Sequence, residues 1–414
     1  MSKALILSVG MSVESEIFAI QYLRPDLVAF ICTHGSRQKI DVITQQTNLQ
    51  PSKFQIYELP DDPAQIGNLV SQAHEAYRWI GTKLDPEGEV IVNPTAGRKW
   101  MSTGMTLFAS QTDAKIIYID ARYENGEPVR DTMQVVDLGN PDDATGMLAA
   151  KEPTALFNRG DFEGSAAGFG QLRPTLAAPR RLYEALKGIA AALAQWDRFE
   201  HYDNSKVPEA LERAANEVLG AAKELNMSAA QSWAESVSTL AKRIRAVYEA
   251  EKPSLDAIAD LYANALRKTR QGRYEDAGAR LYRVLEAIAQ WMLHQKKVAP
   301  SEVNWSQIPD AAKERFLRSR RDVNGPLPTK LGLTDAFLLA RALDCEGIEH
   351  FFDDKGFALA SEIEIRNQSI LAHGWTPATK KKVEYFSEKI RERLKTFDLR
   401  LDDWHVPPLP NLWQ

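Results

Sequence analysis

Near its C-terminus the chain reads Arg366-Asn367-Gln368-Ser369-Ile370-Leu371-Ala372-His373-Gly374. An arginine and a histidine stand seven residues apart, and an asparagine directly follows the arginine. On an α-helix this spacing is about two turns, a rise of about 10.5 Å with an angular drift of only about 20°. Both side chains would leave one face, with Ile365, Ile370 and Leu371 burying others. A guanidinium and an imidazole lined up in this way suit phosphodiester chemistry. Arginine holds a phosphate and steadies the charge developing on it, and histidine moves protons near neutral pH. The same residues also have an ordinary reading. Cations favour helix C-termini and glycine favours the position just after them. A surface arginine and a helix-terminal histidine before Gly374 would look the same.

A second set of chemically suited residues lies in the N-terminal half. Three short apolar runs end in small polar residues: Ser8-Val9-Gly10-Met11-Ser12, Thr33-His34-Gly35-Ser36, and Asn93-Pro94-Thr95-Ala96-Gly97-Arg98-Lys99. The third is the strongest. Gly97 lets the backbone approach a ligand, and the helix that follows offers free N–H groups to an anion. Thr95 adds a hydroxyl, and Arg98 and Lys99 add positive charge. These features describe a phosphate or nucleotide cradle. In the first two loops, small residues that only make the bend would leave the same trace. The Walker pattern and the GxGxxG fingerprint are both missing, which argues against an ATPase and a standard dinucleotide-dependent oxidoreductase.

The elements that must position these residues differ between the two halves. Residues 1–140 alternate apolar runs (4–9, 27–32, 55–59, 90–92, 116–119) with helix-like stretches (13–23, 37–47, 63–83, 99–110). That rhythm predicts a parallel sheet with helices on both faces. Open sheets of this kind bind ligands at the carboxyl ends of their strands. Glu124-Asn125-Gly126-Glu127 is a hairpin signal leading to a final antiparallel strand around 132–138. From Gly139 to about Pro179 the composition turns to Gly, Pro, Asp and Ala, as in a linker that can carry short helical pieces. Helical spacing then dominates over 182–198, 208–225, 229–250, 255–270, 274–295, 357–371 and 380–397. The expected fold class is α/β plus all-α. A Rossmann-like domain occupies 1–140, a linker and helical connection 141–260, and an all-α domain 261–414. The tail His405-Val406-Pro407-Pro408-Leu409-Pro410 should be extended.

Composition narrows the class further. A 44% hydrophobic and 26% charged chain is ordinary globular protein. Its net charge of −5 means that any RNA-binding surface must be a local patch. Arg318–Arg321, Lys380–Lys382 and Lys389–Lys395 are the candidate basic segments. The two cysteines, Cys32 and Cys345, fit no ligand pattern, and no metal motif appears. The N-terminal apolar run is too short for a signal peptide, and no stretch reaches the roughly 20 apolar residues of a membrane span. A cytoplasmic location, with no membrane partner, is the expectation.

Together these pieces resemble the CARF–HEPN ribonucleases of type III CRISPR systems. Asn93-Pro94-Thr95-Ala96-Gly97-Arg98-Lys99 is similar to the Asn/Asp-x-Thr-x-Gly-x-Lys loop of CARF domains, although many relatives carry threonine or serine where Arg98 stands. Arg366-Asn367 with His373 is similar to the HEPN signature at the long end of its spacing, and 276–286 resembles a HEPN helix. The resemblance implies a homodimer whose sensor domains hold a cyclic oligoadenylate, a tetra- or hexa-adenylate ring, as allosteric activator. Gly10, Met11, Ser12, Thr33, His34, Gly35, Ser36, Asn93, Thr95, Gly97, Arg98 and Lys99 would line that site. It implies metal-independent cleavage of single-stranded RNA with no cofactor, in which the 2′-hydroxyl attacks its own phosphate. His373 would move the proton or hold the 2′-hydroxyl, Arg366 would stabilise the phosphate, and Asn367 would orient them. Ser12 and Lys99 are the candidates for slow cleavage of the activator, which some CARF domains perform. From other classes, a non-catalytic nucleotide sensor whose helical half binds a partner stays open. A small-molecule oxidoreductase and a DNA-reading regulator have less in the sequence to support them.

Overall fold

In a computed structural model, all residues are described except 1, 125–126, 321–324, 354–355, 360–362, 365–366, 371–373, 398, 400 and 413–414. The chain divides into two compact units. One comprises Met1–Ala149 with Leu172–Arg180, the other Ala150–Gln171 with Arg181–Gln414.

The first unit is built on β1 (Lys3–Ser8), β2 (Leu27–Thr33), β3 (Phe54–Leu59), β4 (Glu89–Asn93) and β5 (Lys115–Asp120). Two-residue strands β6 (Tyr123–Glu124) and β7 (Glu127–Pro128) pair with each other, and β8 (Gln134–Asp137) follows. The six-stranded sheet runs β3-β2-β1-β4-β5-β8. All its pairs are parallel except β5 with β8, which are antiparallel. The helices between the strands are α1 (Glu14–Leu23), α2 (Lys39–Thr47), α3 (Ile66–Gly81) and α4 (Lys99–Ala109).

Strand residues alternate between two cores, because successive side chains leave opposite faces. Ala4, Ile6, Ala29 and Ile31 pack with Leu69, Ala73, Met105 and Phe108 of α3 and α4. Leu5, Leu7, Val28 and Phe30 pack with Ile17, Ile20, Ile40 and Ile43 of α1 and α2. Burial on both faces is why β1 and β2 read as continuous apolar runs rather than alternating ones. The strand order reverses direction between β1 and β4, whose carboxyl ends therefore lie side by side.

The Gly- and Pro-rich stretch read as a linker is largely helical: α5 (Pro141–Thr145), α6 (Lys151–Asn158) and α7 (Phe162–Gln171). Its prolines do not forbid this, because Pro141 and Pro153 fall in first turns, where no intrahelical N–H bond is lost. Asn140 fixes the start of α5. Its Oδ1 accepts from Asp142 N at 2.9 Å, and its Nδ2 donates to Ala109 O and Thr112 O at 3.2 and 2.8 Å.

Helices α8 (Ala177–Asp197), α9 (Lys206–Glu224), α10 (Ser228–Glu249), α11 (Leu255–Arg270) and α12 (Tyr274–Gln295) follow the expected spans closely. Two further helices, α13 (Asp310–Arg320) and α14 (Leu333–Ala342), escape the sequence reading. α13 buries only Ala312 and Phe316, too few apolar residues to show a period. α15 (Lys380–Leu394) closes the helical core with Val383, Phe386, Ile390 and Leu394 against α11 and α12. The expected helix over 357–371 needs correction. Phe357 pairs with Phe352 in a short antiparallel ladder, and Gln368–Ile370 is turn and bend. The tail from His405 to Asn411 forms neither helix nor strand and is pinned. Trp233 Nε1 donates to Pro407 O at 3.0 Å, and Asn158 exchanges two hydrogen bonds with the Leu409 backbone at 3.0 and 2.7 Å.

Candidate functional site

The structure brings the first and third candidate loops into contact at the reversal between β1 and β4. The Ser8 hydroxyl donates to Ala96 O at 2.5 Å. A Cβ on Gly10 would stand 2.8 Å from Gly97 N, so the two backbones meet at a distance only glycine permits. Gly97 itself has φ +89°, a left-handed conformation costly to any side chain.

Within the third loop, Asn93 and Thr95 hold the backbone in place. Asn93 Oδ1 accepts from Thr95 N at 3.1 Å and from Thr95 Oγ1 at 2.6 Å. Thr95 Oγ1 in turn accepts from Ile119 N of β5 at 2.8 Å. The Thr95 hydrogen is thus already donated, and the hydroxyl ties the loop to the neighbouring strand. Asn93 Nδ2 is buried with no hydrogen-bond partner among the described residues, an uncommon state for an amide donor. No side chain caps the start of α4, so its first turn keeps the open donors of a helix N-terminus. Lys99 opens that helix, exposed and without a partner among the described residues.

The second loop divides into a structural half and an exposed half. Thr33 and Ser36 are buried and satisfy each other, with Thr33 N donating to Ser36 Oγ at 3.1 Å. His34 and Gly35 are exposed. In the first loop Met11 is 66% exposed, a large apolar side chain at the strand ends. Ser12 Oγ donates to Glu14 Oε2 at 2.5 Å, and this bond holds the Glu14 carboxyl below its ordinary range.

Three acidic residues at this edge were missed from the sequence. Glu16 is fully buried in the first turn of α1. Its Oε1 accepts from Gly10 N at 3.0 Å and its Oε2 from Ser15 Oγ at 2.6 Å. Burial pushes its carboxyl up to about 7, outweighing both hydrogen bonds. Glu58 lies 2.6 Å from His34 Nδ1, and Asp61 Oδ1 lies 3.4 Å from Arg98 Nε. The signal for Glu58 and Asp61 was present: they sit at the carboxyl end of β3, but that end is charged rather than small.

In the helical unit, Arg366 and His373 lie outside the described residues, as does Glu362, a candidate partner of Arg366. Asn367 is described and half-buried, in a helical turn where Gln368 N donates to Glu364 O at 2.9 Å. The helix does not continue through 368–370, where Thr376 N returns to donate to Gln368 O at 3.0 Å. The described residues 368–370 are thus not helical, and the shared face expected for Arg366 and His373 falls on residues outside the described ones. Ile370, expected to bury a helix face, is 48% exposed. Gly374 is required by close approach, since a Cβ there would collide with Gln368 O.

The helical unit also holds a buried polar network. Asp197 accepts from Arg267 Nε and Asn264 Nδ2 at 2.9 and 3.0 Å, and also from Lys268 Nζ. Burial alone would raise the Asp197 carboxyl, but Arg267 and Lys268 outweigh it and hold it below the ordinary range. Arg280 Nε donates to Asn264 Oδ1 at 2.5 Å, so it braces α11 against α12. In the basic segments, Arg320 pairs with Asp335 at 3.1 Å, Lys380 with Glu384 at 3.8 Å and Lys389 with Glu392 at 3.4 Å. Among the described residues no helix is long and apolar enough to cross a membrane, and no group of His, Cys, Asp and Glu forms a metal cluster.

Residues 246–397 match the family model described as the Csm6 HEPN domain. Among solved structures, the chain is similar to Enterococcus italicus Csm6 bound to cyclic hexa-2′-fluoro-hexa-dAMP, at 13% identity over 97% of each chain with a TM-score of 0.52. Can2 from Sulfobacillus thermosulfidooxidans in complex with cyclic tetra-adenylate aligns at 15% identity over 47% of this chain and 66% of that one. Its TM-score of 0.25 is too low to carry an argument. No curated protein matches the chain. The sheet topology and the likeness to the Csm6 structure define the fold: a Rossmann-like α/β unit followed along the chain by a helical unit, with the Csm6 HEPN match falling in the helical part. More particularly, the helical residues from α11 to α15 lie within the stretch that the Csm6 HEPN model matches.

Proposed function

We propose that the chain is an endoribonuclease that cuts single-stranded RNA when its N-terminal unit binds a cyclic oligoadenylate. The observation that carries this reading is the Csm6 HEPN match over 246–397, which contains the whole Arg366-Asn367…His373 signature. The sensor half supports it through Gly10 and Gly97, whose backbones meet at the strand-order reversal where such sheets take ligands. The Enterococcus italicus relative bears a cyclic hexanucleotide, and a ring of that kind is the ligand proposed for this site.

In this mechanism the RNA supplies its own nucleophile, the 2′-hydroxyl beside the scissile phosphate, and the product is a cyclic phosphate. His373 moves the proton or holds the 2′-hydroxyl, Arg366 stabilises the crowded phosphate, and Asn367 orients them. The chain acts as a homodimer in the cytoplasm, with two copies of the motif sharing one cleft and a ring of internal symmetry seated on the two-fold axis. No metal or other cofactor takes part. Residues 1–140 form the sensing domain, 141–260 the connection and 261–414 the nuclease domain. Slow cleavage of the ring has no support from Ser12, whose hydroxyl is donated to Glu14.

Labelled single-stranded RNA incubated with the purified chain in EDTA, with and without tetra- and hexa-adenylate rings, tests this. We expect one ring size to switch on cleavage and His373→Ala to abolish it. If no ring activates cleavage, or the variant cuts as well as the parent, the enzyme reading fails, and a sensor whose helical half serves a partner is the alternative.

A further inference from the structure

We propose that Asp61, in the loop after β3, is an internal competitor for the phosphates of the sensor's ligand: it pairs with Arg98 as a ligand phosphate would, and so lowers the affinity for an anionic ring. This rests on the sensor reading above.

Two contacts place Asp61 between the second and third loops. Its Oδ1 lies 3.4 Å from Arg98 Nε. On the other side, a Cβ on Gly35 would stand only 2.6 Å from Asp61 Oδ2, so the carboxylate is packed directly against the second-loop backbone. Glu58 repeats the arrangement at the end of β3, 2.6 Å from His34 Nδ1 and 4.0 Å from Arg37 Nε. Both basic side chains of the candidate loops that carry a partner, His34 and Arg98, are therefore partnered by carboxylates from one strand end. Lys99 has no partner among the described residues.

The exposure of the Arg98–Asp61 pair locates its effect. The side chains are 58% and 35% exposed, and an ion pair so open to water adds little to stability. Its consequence falls on whatever else seeks the guanidinium. Carboxylate and phosphate compete for the same planar fork of donors, so a phosphate can engage Arg98 fully only by displacing Asp61.

The test is calorimetric titration of the full-length chain with cyclic tetra- and hexa-adenylate, in a cycle of Asp61→Asn, Arg98→Ala and the double variant. Asp61→Asn should bind the ring about two- to fivefold more tightly, the scale of an exposed ion pair. Arg98→Ala should bind more weakly, and adding Asp61→Asn to it should bring little further gain. Equal or weaker binding by Asp61→Asn overturns the proposal. So does an equal gain with Arg98 absent, which would mark Asp61 as a general repulsive charge. A parent chain that binds neither ring overturns the sensor reading and this proposal together, whereas a binding parent with an unresponsive Asp61→Asn overturns the proposal alone.

Discussion

Glu16 should make the N-terminal unit lose stability as pH rises through neutrality. The residue is fully buried, its carboxylate receives hydrogen bonds from Gly10 N and Ser15 Oγ, and burial still pushes it up from 4.5 to about 7. The folded state therefore holds a proton more tightly than the unfolded chain. The stabilisation is complete below about 4.5 and is lost as pH climbs through about 7. At 1.36 kcal/mol per pH unit, that gap corresponds to on the order of 3 kcal/mol. Glu16→Gln keeps an acceptor for Gly10 N–H and cannot ionise. Native-state hydrogen exchange of the β1 and β2 amides, corrected for intrinsic rates, reads the effect in this unit alone. Between pH 5 and 8 the opening free energy of the parent should fall relative to the variant by on the order of 3 kcal/mol. The variant should be the more stable chain at pH 8. Parallel pH profiles for the two chains would refute the argument, because they would mean that the buried carboxylate does not titrate in this range.

Three further outcomes follow from the packing. Gly10→Ala places a Cβ 2.8 Å from Gly97 N; thermal denaturation should show a loss of about 1–3 kcal/mol, and an unchanged melting temperature would mean that the loops part freely. Asp197→Ala leaves Arg267 and Lys268 buried without their counter-ion and should cost about 3–5 kcal/mol in urea unfolding; a change under about 1 kcal/mol would show that water or another group replaces the carboxylate. The Cys32 and Cys345 thiols are buried and pushed up to about 12 and about 11 by burial; a chromogenic disulfide reagent at pH 8 should label neither until the chain is unfolded, and rapid labelling of the folded chain would contradict their burial.

The βαβ rhythm of 1–140 was legible because β1 and β2 are apolar along nearly their whole length and each connection is punctuated by polar or turn residues. The strand ends carrying Gly10, Gly35 and Gly97 were legible for the same reason. α13 was not, since a helix that buries only Ala312 and Phe316 leaves no period. The break after Gln368 was hidden too. Arg366 and His373 have helical spacing, and nothing local announces that Thr376 N returns to the Gln368 carbonyl.

The sequence by itself determined the class of the two halves, the positions of the candidate loops and the Arg366-Asn367…His373 motif, because periodicity and residue type are local properties of the chain. Tertiary structure alone decided which of these residues meet. It set Gly10 against Gly97, turned Thr95 toward β5, placed Glu16 beneath the first loop and gave Arg98 the carboxylate of Asp61. These pairings depend on the order of strands across the sheet, and that order is fixed by long-range packing of both faces rather than by any stretch of neighbouring residues.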